Sequence, residues 1–328
     1  MDRYDLVMLD LDGVVYVGPE AVPGAADQLA AVRDAGTAVA FITNNAARTP
    51  DRVAEHLTDL GIAASRDDVV TSAQAAARLL LDRFGPRAPV AALGGPGLHA
   101  ALVEAGLRPV GPEDDAVAAV TGYGPEVLWR DIMRVAVRIR DGLPWVASNG
   151  DLTIPTPFGV APGHGVLVET ISRFSGVSPT VAGKPERPLL DETVRRVGGD
   201  RPLMVGDRLD TDIEGARRAG TDSLLVLTGV TRLRELVEAR PEERPTYVAR
   251  DLGGLFTAHQ SPRAVGDGWE LGGWRGSVVD GRLEVAGTGG PDDWWRVAAT
   301  ASWAHRDATG DTADTAGVGV PDPRTAGR

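Results

Sequence analysis

Short apolar runs alternate with longer amphipathic stretches over the first two-thirds of the chain. Four such runs, at residues 5–10, 37–42, 201–205 and 222–227, are as short as buried parallel strands, and the first ends in a polar residue. The helices predicted between them cover residues 24–35, a segment that opens at Thr49-Pro50, and residues 210–219. Strands that alternate with helices of this length predict a parallel α/β sheet.

A second block of alternating strands and helices occupies residues 81–179. Its predicted strands are residues 89–93 and 116–120, and its predicted helices are residues 98–105 and 126–140. Because this block separates two halves of the first pattern, we predict that it is a domain inserted into an exposed loop. The surrounding domain would then combine residues 1–80 and 180–260.

Tryptophan becomes frequent after about residue 260. Five of the seven tryptophans lie there: Trp269, Trp274, Trp294, Trp295 and Trp303. Residues 269–287 are typical of a hairpin that turns at Asp280-Gly281, and residues 294–303 of one helix. We predict a small C-terminal extension over residues 261–306, followed by a disordered tail over residues 307–328, which offer little apolar surface to bury.

Composition narrows the classes of function. The chain of 328 residues has a formal net charge of −12, which argues against a general nucleic-acid binder. It contains no cysteine, which excludes disulfides and thiolate chemistry. We find no signal-like apolar run at the N-terminus and no stretch near the roughly 20 apolar residues of a membrane span. We therefore expect a cytoplasmic protein.

Acidic side chains follow two of the predicted strands. Asp10-Leu11-Asp12-Gly13 follows the first strand, and Gly206-Asp207 follows a later one, with Asp212 shortly after. Ligands of open parallel sheets bind at the carboxyl ends of strands. Asp10, Asp207 and Asp212 would form an oxygen-rich pocket of the kind that binds Mg²⁺, and waters and a substrate phosphate would complete the coordination shell of the ion. Each motif alone also fits a structural role, as solvated aspartates at a strand exit or as helix caps.

Groups suited to phosphate accompany these carboxylates. Thr43-Asn44-Asn45 ends the second predicted strand, and its hydroxyl and amide groups can donate to phosphate oxygens, although they also suit capping and turn formation. Lys184 is the only lysine of the chain and lies between Gly183 and Pro185. A compact ammonium suits a phosphate or a carboxylate pair. The alternative is a solvated loop lysine.

These motifs in this order resemble the four motifs of haloacid dehalogenase superfamily phosphatases. The runs at residues 147–151, 162–165 and 183–185 look like the p-nitrophenylphosphatase-like subfamily (class IIA), which has a large α/β cap. The likeness covers about residues 4–258 and extends to actinobacterial glycerol 3-phosphate phosphatases, whose C-terminal extension resembles a truncated acetyltransferase fold. It implies a Rossmann-like, doubly wound parallel core with an inserted α/β cap, and the activity of a phosphomonoester hydrolase.

The same resemblance implies a role for each motif residue. Asp10 would attack phosphorus and become an aspartyl phosphate, while Asp12 would protonate the leaving alkoxide and later deprotonate water. Mg²⁺ would be held by the carboxylates of Asp10 and Asp207 and by the backbone carbonyl of Asp12, with Asp212 orienting waters or Lys184 from behind. The residues expected to bind the substrate are Asp12, Gly13, Thr43, Asn44, Asn45 and Lys184.

Several alternatives remain open. Glycerol 3-phosphate is the first substrate to expect, and 2-phosphoglycolate, pyridoxal phosphate, a sugar phosphate or a phosphotransferase reaction are the others. Asn149 and Asp151 match the subfamily pattern, but they could equally order the return from the cap, and we interpret His164 as a loop or helix-start residue. A different class of function would make the C-terminal extension an acetyl-coenzyme A-binding or protein-interaction module. Relatives often dimerise through the cap, so the resemblance makes a homodimer one candidate assembly, and the sequence leaves the oligomeric state open.

Overall fold

The computed structural model describes residues 3–156 and 158–321. Within them lie the helices α1 Ala25–Asp34, α2 Pro50–Asp59, α3 Ser72–Phe84, α4 Pro96–Glu104, α5 Trp129–Arg140, α6 His164–Ser175, α7 Pro188–Val197, α8 Glu214–Ala219, α9 Leu233–Val237 and α10 Pro291–Thr309. Short 3₁₀ turns cover Arg66–Asp68, Pro241–Glu243 and Leu252–Phe256, and a π-helical turn covers Leu209–Ile213. None of the described helices combines the length and the apolar character needed to cross a membrane.

The strands of the first half are β1 Leu6–Leu9, β2 Tyr16–Val17, β3 Glu20–Ala21, β4 Ala38–Thr43, β5 Val69–Thr71, β6 Pro89–Leu93, β7 Arg108–Val110, β8 Ala118–Thr121 and β9 Trp145–Ala147. Those of the second half are β10 Thr153–Thr156, β11 Gly159–Pro162, β12 Thr180–Val181, β13 Pro202–Gly206, β14 Asp222–Val226, β15 Tyr247–Ala249, β16 Arg263–Val265, β17 Gly268–Leu271, β18 Trp274–Val279 and β19 Arg282–Gly287.

A six-stranded parallel sheet with the order β15-β14-β13-β1-β4-β5 forms the centre of the molecule. β1 is fully buried, and its side chains alternate between two hydrophobic clusters. Val7 and Leu9 enter the cluster on one face, while Leu6 and Met8 enter the cluster on the other. A parallel sheet covered on both faces is the doubly wound arrangement, so the predicted fold class is confirmed.

A second parallel sheet, with the order β12-β9-β8-β6-β7, is built from the middle of the chain. We call it, with α4 to α6 and the hairpin β10-β11, the cap. β6 and β8 were predicted within two residues, whereas β7 and the hairpin were not predicted. β12 lies just beyond residue 179, and α3 runs across residue 80. The exact division into domains therefore stays a prediction.

The C-terminal extension is a four-stranded antiparallel sheet, β16-β17-β18-β19, with α10 packed on it. β18 and β19 form the predicted hairpin, and Asp280 and Gly281 both have positive φ, at 50° and 77°, as a tight turn requires. Trp294 and Trp295 share a hydrophobic cluster with Ile213 of the core. The tryptophans therefore attach the extension to the core.

The predicted disorder of the tail is wrong for residues 307–321. α10 continues to Thr309, Ala313 is buried, and the N–H of Leu283 donates to the carbonyl of Asp314 at 2.9 Å. Backbone hydrogen bonds to β19 and one small buried side chain hold this segment, although its apolar content is low. Residues 322–328, for which disorder was also predicted, lie outside the described residues.

Candidate active site

Three strands of the central sheet end at one place. β1 lies between β13 and β4, so the residues that follow these strands are neighbours. The N–H of Asp10 donates to the carbonyl of Val205 at 2.9 Å, which sets Asp10 beside the strand that leads to Asp207. Thr43 is the last residue of β4 on the other side. The side chains predicted to take part in the chemistry therefore lie together at this edge of the sheet.

Lys184 joins two carboxylates at this edge. Its Nζ donates to Oδ1 of Asp10 and to Oδ1 of Asp212, both at 2.7 Å, and its side chain is buried. Burial alone would lower the pKa of Lys184, but the two carboxylates outweigh it and raise the pKa above its ordinary value. The ammonium therefore stays charged, and the reading of Lys184 as a solvated loop lysine is wrong.

Asp212 is held from the π-helical turn that follows β13. Its Oδ2 accepts hydrogen bonds from the backbone N–H groups of Asp207 and Arg208, each at 3.1 Å. Gly206 leaves room for this contact, because a Cβ there would lie 2.1 Å from the Cβ of Asp212. Both carboxylate oxygens of Asp212 are thus occupied, which fits the predicted orienting role.

Asp207 is buried and keeps one oxygen without a partner. Its Oδ2 accepts from the N–H of Val230 at 2.6 Å, while Oδ1 has no hydrogen-bond partner among the described residues. Gly13 and Gly229 crowd this carboxylate, and an added Cβ would lie 2.4 Å and 1.9 Å from Oδ2, respectively. A buried carboxylate oxygen left without a partner is costly unless it binds something else.

The acidic groups raise one another's pKa. Burial is the first cause for Asp207, and the charges of Asp212 and Asp10 add to it, which raises the pKa of Asp207 to about 8. Burial raises the pKa of Asp212 to about 6 in spite of the ammonium of Lys184. Burial also raises the pKa of Asp10, again opposed by Lys184. Concentrated negative charge of this kind is a common property of active sites.

The donor set fits a divalent cation. Carboxylate oxygens of Asp10, Asp207 and Asp212 all lie within 4.8 Å of one another. Mg²⁺ takes hard oxygen ligands at close range and usually keeps several waters. The unpartnered Oδ1 of Asp207 supplies a free oxygen at the same place. These residues therefore suit Mg²⁺, in line with the predicted roles of Asp10 and Asp207.

Asp12 lies on the open side of the site. Asp12 is exposed to solvent, but the protein around its carboxyl group still raises the pKa of that group through partial burial. The charges of Arg48 and Lys184 and a hydrogen bond from Tyr16 lower the pKa and offset part of this effect. A carboxyl group with a raised pKa that reaches solvent is suited to exchange protons with a leaving group and with water.

Two residues that the sequence predicts to bind phosphate also have structural roles. The N–H of Gly13 donates to the carbonyl of Tyr16 at 2.8 Å, so it is not free for a phosphate oxygen, and its φ of 87° favours glycine. Oδ1 of Asn45 accepts from the N–H of Ala47 at 2.9 Å, which is the turn-forming alternative. Gly13 therefore has a backbone role and the carbonyl oxygen of Asn45 a turn role, while substrate binding by either residue stays a prediction.

Thr43 keeps a hydroxyl that is able to donate. Its Oγ1 accepts from the N–H of Asn45 at 3.1 Å. Since a hydroxyl both donates and accepts, its hydrogen remains available to a phosphoryl oxygen. The side chain of Asn44, by contrast, is hydrogen-bonded to Lys184 and Asp151. Phosphate binding by the second motif stays a prediction, and the amide hydrogens of Asn44 already have protein partners.

His164 is the first residue of α6 and is buried inside the cap. Its Nε2 lies 3.1 Å from Oγ1 of Thr121, which also accepts from the indole N–H of Trp145 at 3.0 Å. Burial lowers the pKa of His164 to about 4, so the ring is neutral at pH 7. The interpretation of His164 as a helix-start residue is confirmed.

Sequence reasoning missed two residues near Asp12. Arg48 and Tyr16 both influence the pKa of Asp12, and burial together with Asp12 and Asp10 raises the pKa of Tyr16. Arg48 follows the Thr43 motif on the same loop, so its closeness to that motif in the sequence was a usable indication. Tyr16 is recognisable only from the turn that brings it back against Asp12.

Comparison with known families agrees with this geometry. A family described as haloacid dehalogenase-like hydrolase matches residues 7–108, and a related haloacid dehalogenase hydrolase-like family matches residues 181–255. The gap between the two matches contains most of the cap.

Individual relatives extend the likeness over most of the chain. A D-glycerol 3-phosphate phosphatase of Mycobacterium tuberculosis is 42% identical over 292 residues, which are 89% of this chain and 81% of the relative. A crystal structure of the glycerol phosphate phosphatase of M. tuberculosis in complex with magnesium matches with a TM-score of 0.84 and 40% identity, covering 92% of this chain and 91% of that chain.

Two further relatives cover less of this chain but nearly all of their own. An acid sugar phosphatase of Staphylococcus aureus is 34% identical over 254 residues, which are 77% of this chain and 96% of the relative. The crystal structure of a 4-nitrophenylphosphatase from Thermotoga maritima matches with a TM-score of 0.72 and 30% identity, covering 79% of this chain and 98% of that chain.

Proposed function

The chain belongs to the haloacid dehalogenase-like hydrolases, and we propose that it is a Mg²⁺-dependent phosphatase that hydrolyses glycerol 3-phosphate. The observation that carries this proposal is the ammonium of Lys184 between Asp10 and Asp212, beside the free buried oxygen of Asp207. A site with these groups can hold a phosphoryl group, a cation and a carboxylate nucleophile together.

Without a cation, the negative charge of the site is not balanced. Three carboxylates and one ammonium leave two negative charges in a largely buried volume, an arrangement that raises the pKa of Asp207 and Asp212. A bound divalent ion would balance these charges, and it would also neutralise charge on the phosphoryl oxygens. We propose that Asp10 and Asp207 hold it through their carboxylates and Asp12 through its backbone carbonyl, while Asp212 orients Lys184.

The residues of the site divide the reaction into two transfers. Asp10, whose side chain is 14% exposed, attacks phosphorus in line and forms an aspartyl phosphate, while Asp12 gives its proton to the departing alkoxide. Asp12 then takes a proton from the water that cleaves the aspartyl phosphate. Lys184 and the hydroxyl of Thr43 hold phosphoryl oxygens during both steps, because phosphoryl transfer depends mainly on positioning and charge neutralisation.

Glycerol 3-phosphate is proposed as the substrate because the relative from M. tuberculosis covers both the core and the cap. A sugar phosphate is the second candidate, because the S. aureus relative is an acid sugar phosphatase. Both are small phosphomonoesters of alcohols and need the same acid for the leaving group. A choice between them depends on cap residues that the four motifs do not include.

The C-terminal extension has contacts that favour attachment over coenzyme A binding. Gly272 and Gly273 form the tight turn between β17 and β18, with positive φ at both. The first turn of α10 carries Asp292 and Asp293, and acidic residues there repel a pyrophosphate. The indole N–H of Trp303 donates to the carbonyl of Leu236 in the core at 2.8 Å. We propose that the extension has a structural role.

We also propose that the protein forms a homodimer through the cap. One face of α5 exposes Trp129 and Met133, at 64% and 55%, one turn apart. Exposed apolar side chains concentrated on one part of a surface are typical of interfaces. The cytoplasmic location and the absence of nucleic acid among its partners stay predictions from composition.

The test of the proposed function is phosphate release by the purified full chain with Mg²⁺. The panel contains glycerol 3-phosphate, a sugar phosphate, 2-phosphoglycolate, pyridoxal phosphate and p-nitrophenyl phosphate. We expect the highest kcat/KM for glycerol 3-phosphate and loss of turnover in Asp10→Asn. Asp141→Asn is the matched control, because Asp141 is exposed on the cap and, among the residues that the structure describes, forms an ion pair with Arg140 alone.

The outcomes separate the parts of the proposal. Full activity in chelator, or robust activity in Asp10→Asn, would contradict the phosphatase mechanism. A higher kcat/KM for a sugar phosphate would replace the substrate and leave the mechanism in place. Omission of any acceptor alcohol tests the phosphotransferase alternative, because a phosphotransferase would release little free phosphate under that condition.

A further inference from the structure

Asn44 stands at the junction of the core, the cap and Lys184. Its Nδ2 donates to the carbonyl of Lys184 at 3.0 Å and to Oδ1 of Asp151 at 3.1 Å. Its Oδ1 accepts from the N–H of Lys184 at 2.9 Å. One carboxamide thereby uses both amide hydrogens and its oxygen, and it has nothing left to donate to a phosphate.

The carboxamide holds Lys184 by the backbone, and the carboxylates hold it by the side chain. A donor and an acceptor of Asn44 pair with the carbonyl and the N–H of the same residue, which fixes the direction of the peptide units on both sides. Gly183 allows this approach, since a Cβ there would lie 2.5 Å from Oδ1 of Asn44. The position of the ammonium therefore depends on the orientation of Asn44.

That orientation is set from the cap. Asp151 lies in the loop between β9 and the hairpin β10-β11, and it accepts one of the two hydrogens of the Asn44 carboxamide. The loop itself is fixed, because the carbonyl of Asp151 accepts from Gly165 at 2.8 Å and its N–H donates to Oδ1 of Asn149 at 3.1 Å. Nδ2 of Asn149 in turn donates to the backbone carbonyl of Asn44 at 2.7 Å.

We propose that Asp151 is a positioning residue that aligns Lys184 through the carboxamide of Asn44, so that docking of the cap loop on the core completes the phosphate site. The proposal rests on the proposed function in one respect, namely that Lys184 acts on the phosphoryl group. It gives Asn44 a different role from direct phosphate binding, and it links the cap to the chemistry without a contact between Asp151 and the substrate.

A direct role for Asp151 makes different predictions. If its carboxylate bound the leaving group, its removal would raise KM most for substrates whose hydroxyls it contacts. If it acts through Asn44 and Lys184, its removal weakens stabilisation of the transferring phosphoryl group, which is common to every phosphomonoester. The loss then falls on kcat and is the same for substrates with different leaving groups.

A double-mutant cycle measures this connection. We expect Asp151→Ala to lower kcat by about 10–100-fold, as loss of a residue that orients a functional group typically does, with little change in KM. Asn44→Ala should lower it further, and the double variant should equal Asn44→Ala alone, because Asp151 then has no carboxamide to orient. Asp141→Ala is the control on the cap surface, and melting temperatures show that each variant is folded.

The single lysine of the chain gives a readout that does not depend on turnover. Protein labelled with ¹⁵N-lysine shows one backbone amide peak, that of Lys184, whose N–H is bound to Asn44. We expect Asp151→Ala to shift or broaden this peak and Asp141→Ala to leave it in place. A peak unchanged in Asp151→Ala, or kcat losses that multiply in the double variant, would overturn the proposal. If the wild-type chain hydrolysed no phosphomonoester, the proposed function would fail, while the peak would still decide whether Asp151 orients Lys184.

Discussion

Binding of Mg²⁺ should depend steeply on pH, because the cluster of carboxylates holds a proton that the cation must displace. Burial, with Asp212 and Asp10, raises the pKa of Asp207 to about 8. Below that pH the cation-free protein carries a proton on this carboxyl, and a ligand oxygen must lose it. The apparent affinity for Mg²⁺ should therefore rise roughly tenfold for each pH unit between pH 6 and 8 and level off above pH 8.

The raised pKa of Asp207 also has a consequence for how the free energy of unfolding depends on pH. The pKa of Asp207 is higher in the folded chain than its ordinary value of 3.8, so the folded state binds the proton more tightly than the unfolded state. Without Mg²⁺, this carboxyl therefore lowers the free energy of unfolding as the pH rises from about 4 to about 8. Saturating Mg²⁺ should remove that loss, because the cation takes the place of the proton.

Titration calorimetry at pH 6, 7, 8 and 9 measures the affinity directly. Repeating the titration in buffers with different ionisation enthalpies counts the protons released, and we expect about one per Mg²⁺ at pH 7. Asp207→Asn should lose both the steep pH dependence and most of the affinity, whereas Asp141→Asn should behave as the wild type. An affinity that stays constant from pH 6 to 8 would refute the reasoning.

Three further predictions concern single side chains. Lys184→Met should lower kcat, measured as phosphate release, by roughly 10²–10³-fold, as removal of one preorganised donor typically does. Arg187→Met changes an exposed neighbour and should keep the activity. Gly229→Ala places a Cβ 1.9 Å from Oδ2 of Asp207 and should weaken Mg²⁺ binding in calorimetry. Gly150→Ala is the control, because its Cβ would lie in open space. Equal affinities of the two variants would contradict the idea that a side chain at position 229 displaces the Asp207 carboxylate. Trp294→Ala should cost about 3–5 kcal/mol in chemical denaturation, because Trp294 is almost completely buried. A small loss would mean that the extension is not anchored there.

The main carboxylates could be predicted from the sequence because each follows a recognisable strand. Lys184 could be predicted because it is the only lysine of the chain. Parallel strands direct their carboxyl ends to one edge, so Asp10 and Asp207 meet if their two strands are neighbours in one sheet, as β1 and β13 are. The sole lysine of an arginine-rich chain, fixed between Gly183 and Pro185, was similarly conspicuous.

The role of Asn44 could not be predicted in this way. Its partners Asp151 and Lys184 are 107 and 140 residues away, and only the packing of the cap on the core brings them together. A local pattern shows which groups a residue offers, but not which of them are already used. The same limit explains Gly13, whose N–H is taken by Tyr16 through a tight turn.

Composition also misjudged the C-terminal tail. Residues after Thr309 offer few apolar side chains, yet the carbonyl of Asp314 accepts from Leu283 and its N–H donates to Gly281. Backbone hydrogen bonds beside an existing sheet edge can order a segment of low apolar content. Such pairing depends on the neighbouring strand, so the sequence of the segment alone did not reveal it.

Chemical trapping of a phosphorylated carboxyl group tests the central claim most directly. The enzyme is quenched during turnover of glycerol 3-phosphate and treated with borohydride, which reduces an aspartyl phosphate to homoserine, and the peptides are then analysed by mass spectrometry. We predict that the modification appears at Asp10 and is absent from protein incubated without substrate. Turnover with no modified residue, or with the modification at Asp12 or Asp207 instead, would contradict it.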